Sequence, residues 1–174
     1  MDHFLKQVKD MGFSGVINFP TVAILEGNYR DNLESSGLGF INEVNMIKMA
    51  HDMNLYTMSY VFNPEEAEEM AKAGADILVA HMGLTTKGTI GAKTALTLDD
   101  CVEKIKAIMN AGKEVNPDIM VICHGGPIAE PQDAEYVIQR ITGIDGFFGA
   151  SSIERLAAEK GIKEQTAAFK SICK

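Results

Sequence analysis

The stretch MVICHGGPIAEP, residues 120–131, decides the fold that we predict for this chain. Its apolar run, residues 120–123, stops at His124, and Gly125, Gly126 and Pro127 follow at once. A short apolar run that breaks into glycines is typical of a buried strand whose end comes close to another group. The pattern recurs at residues 77–83 and 146–152. We therefore expect several strands to bring polar, glycine-rich ends to one functional face.

Helical and strand patterns alternate along the rest of the chain. Amphipathic helices are predicted over residues 2–11, 40–53, 63–74, 97–115 and 131–141. Short apolar strands are predicted over residues 15–20, 55–62, 76–80, 119–123 and 146–149. Residues 21–39 and 83–96 are predicted as long loops, the first with a turn of helix at Tyr29 to Leu33. Ser151 and Glu154 are predicted as a capping box before a last helical region divided at Gly161. This order predicts an α/β protein with a parallel sheet, which binds ligands at the carboxyl ends of its strands.

Composition and charge limit the class of protein. With 174 residues, 46% of them hydrophobic and 23% charged, residues 1–174 are predicted to form a single domain. A net charge of -8 without a basic run argues against nucleic-acid binding and favours small-molecule or protein partners. The N-terminal residues have no signal-peptide pattern, and no apolar stretch is long enough to span a membrane. Cys101, Cys123 and Cys173 have unrelated spacings, so we expect no disulfide framework and no thiolate zinc site, and a cytoplasmic location.

Five strings carry a resemblance to a known family: GFSGVINFPT (12–21), YVFNPEEA (60–67), AGADILVAHMGLTTKGTIGAKTAL (73–96), VICHGGPIAEPQDA (121–134) and GFFGASSIERL (146–156). They resemble the phosphoenolpyruvate hydrolases, also described as TIM-barrel signal-transduction proteins. The resemblance implies a (β/α)8 barrel distantly similar to the phosphoenolpyruvate mutase and isocitrate lyase group. It reaches only the last five of the eight strands. We therefore expect a partial barrel of about five parallel strands with flanking helices, the C-terminal portion of a TIM barrel.

Two histidines at strand ends are the candidate catalytic residues. His81 and His124 each follow an apolar run, and neutral imidazole suits either proton transfer or metal ligation at neutral pH. The structural alternative is that each ring only hydrogen-bonds a loop carbonyl. No metal ligands are predicted, because two histidines without a placed carboxylate do not define a metal site. The cofactor is left open, with Mg²⁺ suggested by analogy alone.

Glycine-rich turns are the candidate anion-binding residues. Barrels of this kind often hold a phosphate on backbone N–H groups after the last strands, at a helix N-terminus. This expectation falls on Gly125, Gly126, Gly149, Ala150, Ser151 and Ser152. Alternatively, these residues form only tight turns and an ordinary helix cap.

The two long loops contribute further candidates. Thr85 and Thr86 are expected to contact the substrate from a lid-like loop. Side chains that would add charge to the site, or lie on the surface instead, are Lys87, Lys93 and Arg155. Glu26 and Arg30 of the earlier loop are candidate substrate contacts.

These features predict a hydrolase that acts on a small phosphorylated carboxylate similar to phosphoenolpyruvate. The alternative is a non-catalytic TIM-barrel module that binds a ligand or protein in signalling. Because three strands of the family pattern are absent, we expect either a homo-oligomer or association with the missing half-barrel.

Overall fold

The computed structural model describes residues 1–88, 91–93 and 96–171 of the chain. Its helices are α1 Asp2–Asp10, α2 Gly27–Ser35, α3 Ile41–Asp52, α4 Pro64–Lys72, α5 Leu98–Val115, α6 Pro131–Ile138, α7 Ser151–Arg155 and α8 Lys163–Lys170. A 3-10 turn covers Val22–Ile24, and a π-helical segment, Leu156–Ile162, joins α7 to α8. The strands are β1 Gly15–Ile17, β2 Tyr56–Val61, β3 Ile77–His81, β4 Met120–His124 and β5 Gly146–Phe147.

The five strands form one parallel sheet in the order β1-β2-β3-β4-β5. Each strand–helix–strand step therefore moves one place along the sheet in a constant direction. This confirms the predicted α/β class and parallel sheet. The register places His81 directly opposite His124.

The two faces of the sheet have different surroundings. Successive side chains of a strand point to opposite faces. One set packs with the helices in the main core, and we call this the helix face: Val61, Leu78, Ala80, Val121 and Cys123. The alternating set forms the second face: Met58, Tyr60, Ile77, Val79, His81, Ile122 and His124. Most of the stabilising apolar burial therefore lies on the helix face.

Local signals explain several helix starts. Asn63 accepts a hydrogen bond from the Glu66 backbone N–H, with Pro64 at the first helical position. Thr97 and Asp100 form the capping box that the sequence predicts, so α5 begins at Leu98.

One expectation about local structure is incomplete and two are wrong. The helical turn expected at residues 29–33 is part of the longer helix α2, and a 3-10 turn capped by the side chain of Thr21 precedes it, so less of residues 21–39 is loop than predicted. The capping box at Ser151 does not form, because α7 begins one residue earlier and Ala150 has no capping side chain. Gly161 does not divide the last helical region, because the π-helical segment carries the backbone through it.

The buried thiols are structural. Cys101 and Cys123 are free and enclosed in the core. Burial raises the pKa of the Cys123 thiol to about 12, so it stays protonated and unreactive near neutral pH. Cys173 lies outside the described residues. None of the described helices is long and apolar enough to cross a membrane.

Candidate active site at the strand ends

The strand ends bring His81 and His124 together, as the sequence predicts. Their ring centroids are 4.7 Å apart at 77°. Both side chains belong to the second face and are almost fully buried, with 3% and 8% of their surface exposed. The pair lies where ligands bind in parallel α/β proteins.

Aromatic rings that the sequence did not single out enclose the histidine pair. The ring of Tyr60 lies 5.0 Å from that of His81 and 5.3 Å from that of His124. Phe62 stacks on His81 at 4.5 Å, and Phe148 lies 5.5 Å from His124. A period of two along β2 places Tyr60 and Phe62 on the same face, which is the signal that could have identified them.

Hydrogen bonds assign opposite tautomers to the two rings. The Gly83 backbone N–H donates to Nδ1 of His81 at 3.0 Å, so a neutral His81 carries its proton on Nε2. Nδ1 of His124 lies 2.6 Å from the Phe148 carbonyl oxygen and must donate to it, which leaves Nε2 of His124 with a free lone pair. The site thus offers one N–H donor and one basic nitrogen.

Both imidazoles are neutral at physiological pH. Burial, then the neighbouring His124 and Lys104, lower the pKa of His81 to about 3. Burial also lowers the pKa of His124, against the opposing effect of its hydrogen bond to Phe148. Neutral rings can donate or accept a proton at Nε2 without a permanent charge in the site.

Gly125 and Gly126 let the β4–α6 loop approach the end of β3. Both have positive φ, +77° and +58°. A Cβ on Gly125 would collide with the carbonyl oxygen of Gly83, and one on Gly126 with that of Met82. The Gly126 N–H donates to the Gly83 oxygen at 2.8 Å, so this amide is already used within the loops. Gly126 therefore has no free N–H for the anion-binding role that the sequence predicts.

The turn at residues 149–152 has more donors available. No hydrogen bond joins the backbone N–H groups of Gly149, Ala150, Ser151 and Ser152, or the two serine hydroxyls, to any other described residue. All four residues are half-buried. Ser151 and Ser152 form the first turn of α7 rather than its cap, so their N–H groups point out of the helix start.

The loop between β3 and α5 is held by its own contacts. The Thr86 N–H donates to the Gly126 oxygen at 2.9 Å, and the Thr85 oxygen accepts from Ala92. Lys87 pairs with Asp133 at 2.6 Å, and Arg155 donates to the Thr86 and Lys87 carbonyls. Lys87 and Arg155, which were expected to add charge to the site, are therefore engaged by other residues of the protein. Lys93 is exposed.

A large cavity lies beside the histidine pair, between the loops that follow β1, β2 and β3. Its volume is about 1060 Å³. Arg30 and Glu26, which the sequence had suggested as contacts, line it, but Arg30 is paired with Glu34 at 2.5 Å. Lys104 also lines it and was missed, although it follows the buried Cys101 by one helical turn.

The Mg²⁺ that analogy suggests has no ligand set among the described residues. Nowhere in residues 1–88, 91–93 and 96–171 do three His, Cys, Asp or Glu side chains group closely enough to hold a metal ion. A divalent cation needs several such ligands or bound waters.

Comparison with known proteins places the chain in a family. The profile of the phosphoenolpyruvate hydrolase-like proteins matches residues 1–172. The chain belongs to this family. It is 55% identical over 172 residues to the ToMV susceptible protein tm-1(GCR26) of Solanum lycopersicum. That alignment covers 99% of this chain but 23% of the tomato protein, so the chain spans about a quarter of the length of this family member.

Solved structures identify the sheet as part of a barrel. A provisionally assigned phosphonomutase from Burkholderia cenocepacia J2315 superposes with a TM-score of 0.54 at 13% identity, over 90% of this chain and 70% of that one. A dihydrodipicolinate synthase gives 0.55 at 12% identity, over 92% and 54%. Both are TIM-barrel enzymes, so the family member described here has the predicted partial α/β barrel. The second face corresponds to the barrel interior.

Proposed function

We propose that this chain carries the reaction site of a hydrolase that acts on a small phosphorylated carboxylate such as phosphoenolpyruvate. The observation that carries the proposal is the His81–His124 pair with opposite tautomers at the strand ends. Family membership supports the substrate class. The position at the carboxyl ends of barrel strands supports the location.

The histidines would divide the work of hydrolysis. Water attacks phosphorus while its proton passes to the free Nε2 of His124, and the bond from phosphorus to the enol oxygen breaks. The departing oxygen accepts a hydrogen bond from the Nε2–H of His81, which acts as a neutral donor. His124 then returns the proton to the terminal carbon of the enolate, which gives pyruvate and phosphate.

The turn at residues 149–152 would hold the phosphoryl group. Its four N–H groups and two hydroxyls have no other described partner, and backbone N–H groups at a helix start favour anions. Thr85 and Thr86 remain expected contacts from the neighbouring loop. Gly125 also remains an expected anion contact.

Phosphate release from phosphoenolpyruvate tests the proposal. His124→Asn keeps an N–H for the Phe148 carbonyl but removes the basic Nε2, so the rate is expected to fall about 100-fold or more. His3→Asn, at an exposed residue of α1, is the matched control and leaves the rate unchanged. Wild-type activity should rise with pH through a pKa below 6.5, because the base must be unprotonated. Equal rates for wild type and His124→Asn, or no release by the wild type, would overturn the proposal.

A second candidate function, a binding module that assembles with another chain, is favoured by the edge of the sheet. Among the described residues β1 pairs only with β2. Beside its free edge lies an apolar groove of about 450 Å³ lined by Phe4, Val16, Ile17, Phe19 and Met46. A parallel sheet is normally covered on both faces and edges, so the groove suits a second copy or a separate half-barrel.

The mass in solution tests the assembly. Light scattering after size-exclusion chromatography is expected to give a dimer that Ile17→Lys dissociates and Phe13→Lys leaves intact, because Phe13 is exposed outside the groove. A wild-type monomer would exclude the homo-oligomer. If a separately expressed half-barrel also fails to bind that monomer, assembly with a half-barrel would be excluded as well.

A further inference from the structure

Lys104 differs from most lysines of the described chain. It is half-buried on α5 and has no hydrogen bond or ion pair with any residue that the structure describes. Six other lysines pair with carboxylates: Lys6, Lys48, Lys72, Lys87, Lys106 and Lys160. Lys104 also lines a cavity, where its charge has no counter-ion among the described residues. The position therefore favours a bound anion.

The cavity next to Lys104 is large enough for an organic ligand. Its volume of about 1060 Å³ is at the upper end for small-molecule sites. Its walls include the apolar side chains of Ile24, Leu25, Phe62, Met82, Leu84 and Leu96. A ligand with an apolar body would remove these side chains from water.

The other charges of the cavity limit the ligand to a single negative charge. Arg30 is already engaged by Glu34 at 2.5 Å and by Glu66 at 3.6 Å. Glu26 stands exposed at the same cavity. The cavity is thus lined by three carboxylates and two cations, and of the two cations only Lys104 is unpaired. Because negative charges outnumber positive ones, a ligand with several negative charges would be repelled.

We propose that this cavity is a second ligand site, which binds a small monocarboxylate with an apolar body against the ammonium of Lys104. It is distinct from the turn at residues 149–152, because none of those four residues lines it. It lies beside the histidine pair, since Phe62 both lines the cavity and stacks on His81.

Occupancy of this site would act on His81. The charge of Lys104 is one cause, after burial and His124, of the lowered pKa of His81. A carboxylate on Lys104 cancels that charge and raises the pKa of His81. The ligand is thus expected to shift the ring resonances of His81 without touching the phosphate turn.

Calorimetric titration with benzoate tests the site. Wild type is expected to bind benzoate. Lys104→Met should bind it at least about tenfold more weakly, because the contact between the carboxylate and the ammonium is lost. Lys106→Met, two residues along α5 at a lysine that is paired with Glu103 and does not line the cavity, is the matched control and binds like wild type. Benzylammonium has the same phenyl ring and the opposite charge, and it should not bind. Lys104→Arg should retain binding.

Several outcomes would overturn this inference: no benzoate binding by wild type, equal affinity for Lys104→Met, or equal binding of benzylammonium. Circular dichroism distinguishes lost binding from lost folding, and Lys104→Met is expected to be at least as stable as wild type because an unpaired ammonium is removed. The site does not depend on the proposed hydrolysis. His124→Asn should still bind benzoate, so either idea can fail alone.

Discussion

The two faces of the sheet differ in how completely they are covered. On the helix face Leu78 and Val121 have no exposed surface and pack under α4, α5 and α6. On the second face Met58, Ile77 and Ile122 remain half-buried, and nearly complete burial is confined to Val79 and to the strand-end residues around the two histidines. The helix face therefore holds the fold together, while the second face carries the site and the surface on which a partner would pack.

Adjacent residues of β3 test this division most strongly. Leu78→Ala removes a fully buried side chain from the helix face and is expected to lower the free energy of unfolding by about 2–5 kcal/mol. Ile77→Ala removes a half-buried side chain from the second face, so its cost should be near 1 kcal/mol, about 25 cal/mol per Å² of the apolar area lost. Urea denaturation followed by circular dichroism measures both.

Equal costs for these two variants would contradict the comparison. They would mean that the second face is covered in solution, as in an assembled barrel. Repeating the titration at several protein concentrations separates these cases, because assembly makes the stability depend on concentration.

The strand-end histidines are expected to make the fold acid-sensitive. Burial, then His124 and Lys104, depress the pKa of His81 from 6.5 to about 3. His81 therefore binds a proton below pH 6.5 in the unfolded chain but only near pH 3 in the folded chain. The free energy of unfolding consequently decreases as the pH falls from 6.5 to 3. The slope from His81 alone approaches 1.4 kcal/mol per pH unit.

His81→Asn isolates this effect. Its side-chain oxygen can accept the Gly83 N–H in place of Nδ1, but it does not titrate. The variant should lose less stability than wild type between pH 6.5 and 4, and its pH dependence should match wild type above pH 7. Identical pH profiles would show that His81 is solvated rather than enclosed by Tyr60 and Phe62.

Much of the fold could be predicted because its signals are local. The apolar run of β4, the Asn63–Pro64 start of α4 and the Thr97 capping box each depend on residues a few positions apart. The region at residues 21–39 was harder, since α2 has no buried residue and hence no apolar stripe. The Ser151 box failed because its residues matched the pattern while the helix began one residue earlier.

The site was predictable only where it follows strand ends. His81 and His124 meet because parallel strands end at one edge, which the sequence order implies. The aromatic enclosure depends on the register between three strands, and the use of the Gly126 amide by Gly83 depends on a contact between two loops. Lys104 lies on a helix whose rotation relative to the cavity is fixed only by tertiary packing.

A smaller change in stability tests whether every buried polar group on the helix face has a hydrogen-bond partner. Ser59 Oγ is buried without a hydrogen-bond partner among the described residues, so Ser59→Ala should raise stability by about 1 kcal/mol. Thr57, two residues earlier on the same face, donates to the Asp76 carboxylate at 2.8 Å and accepts the Asp76 N–H at 3.0 Å. Thr57→Val should therefore lower stability by about 2 kcal/mol. If Ser59→Ala is also destabilising in urea denaturation, the Ser59 hydroxyl has a hydrogen-bond partner such as a buried water. The buried polar groups of β2 on the helix face would then all be hydrogen-bonded.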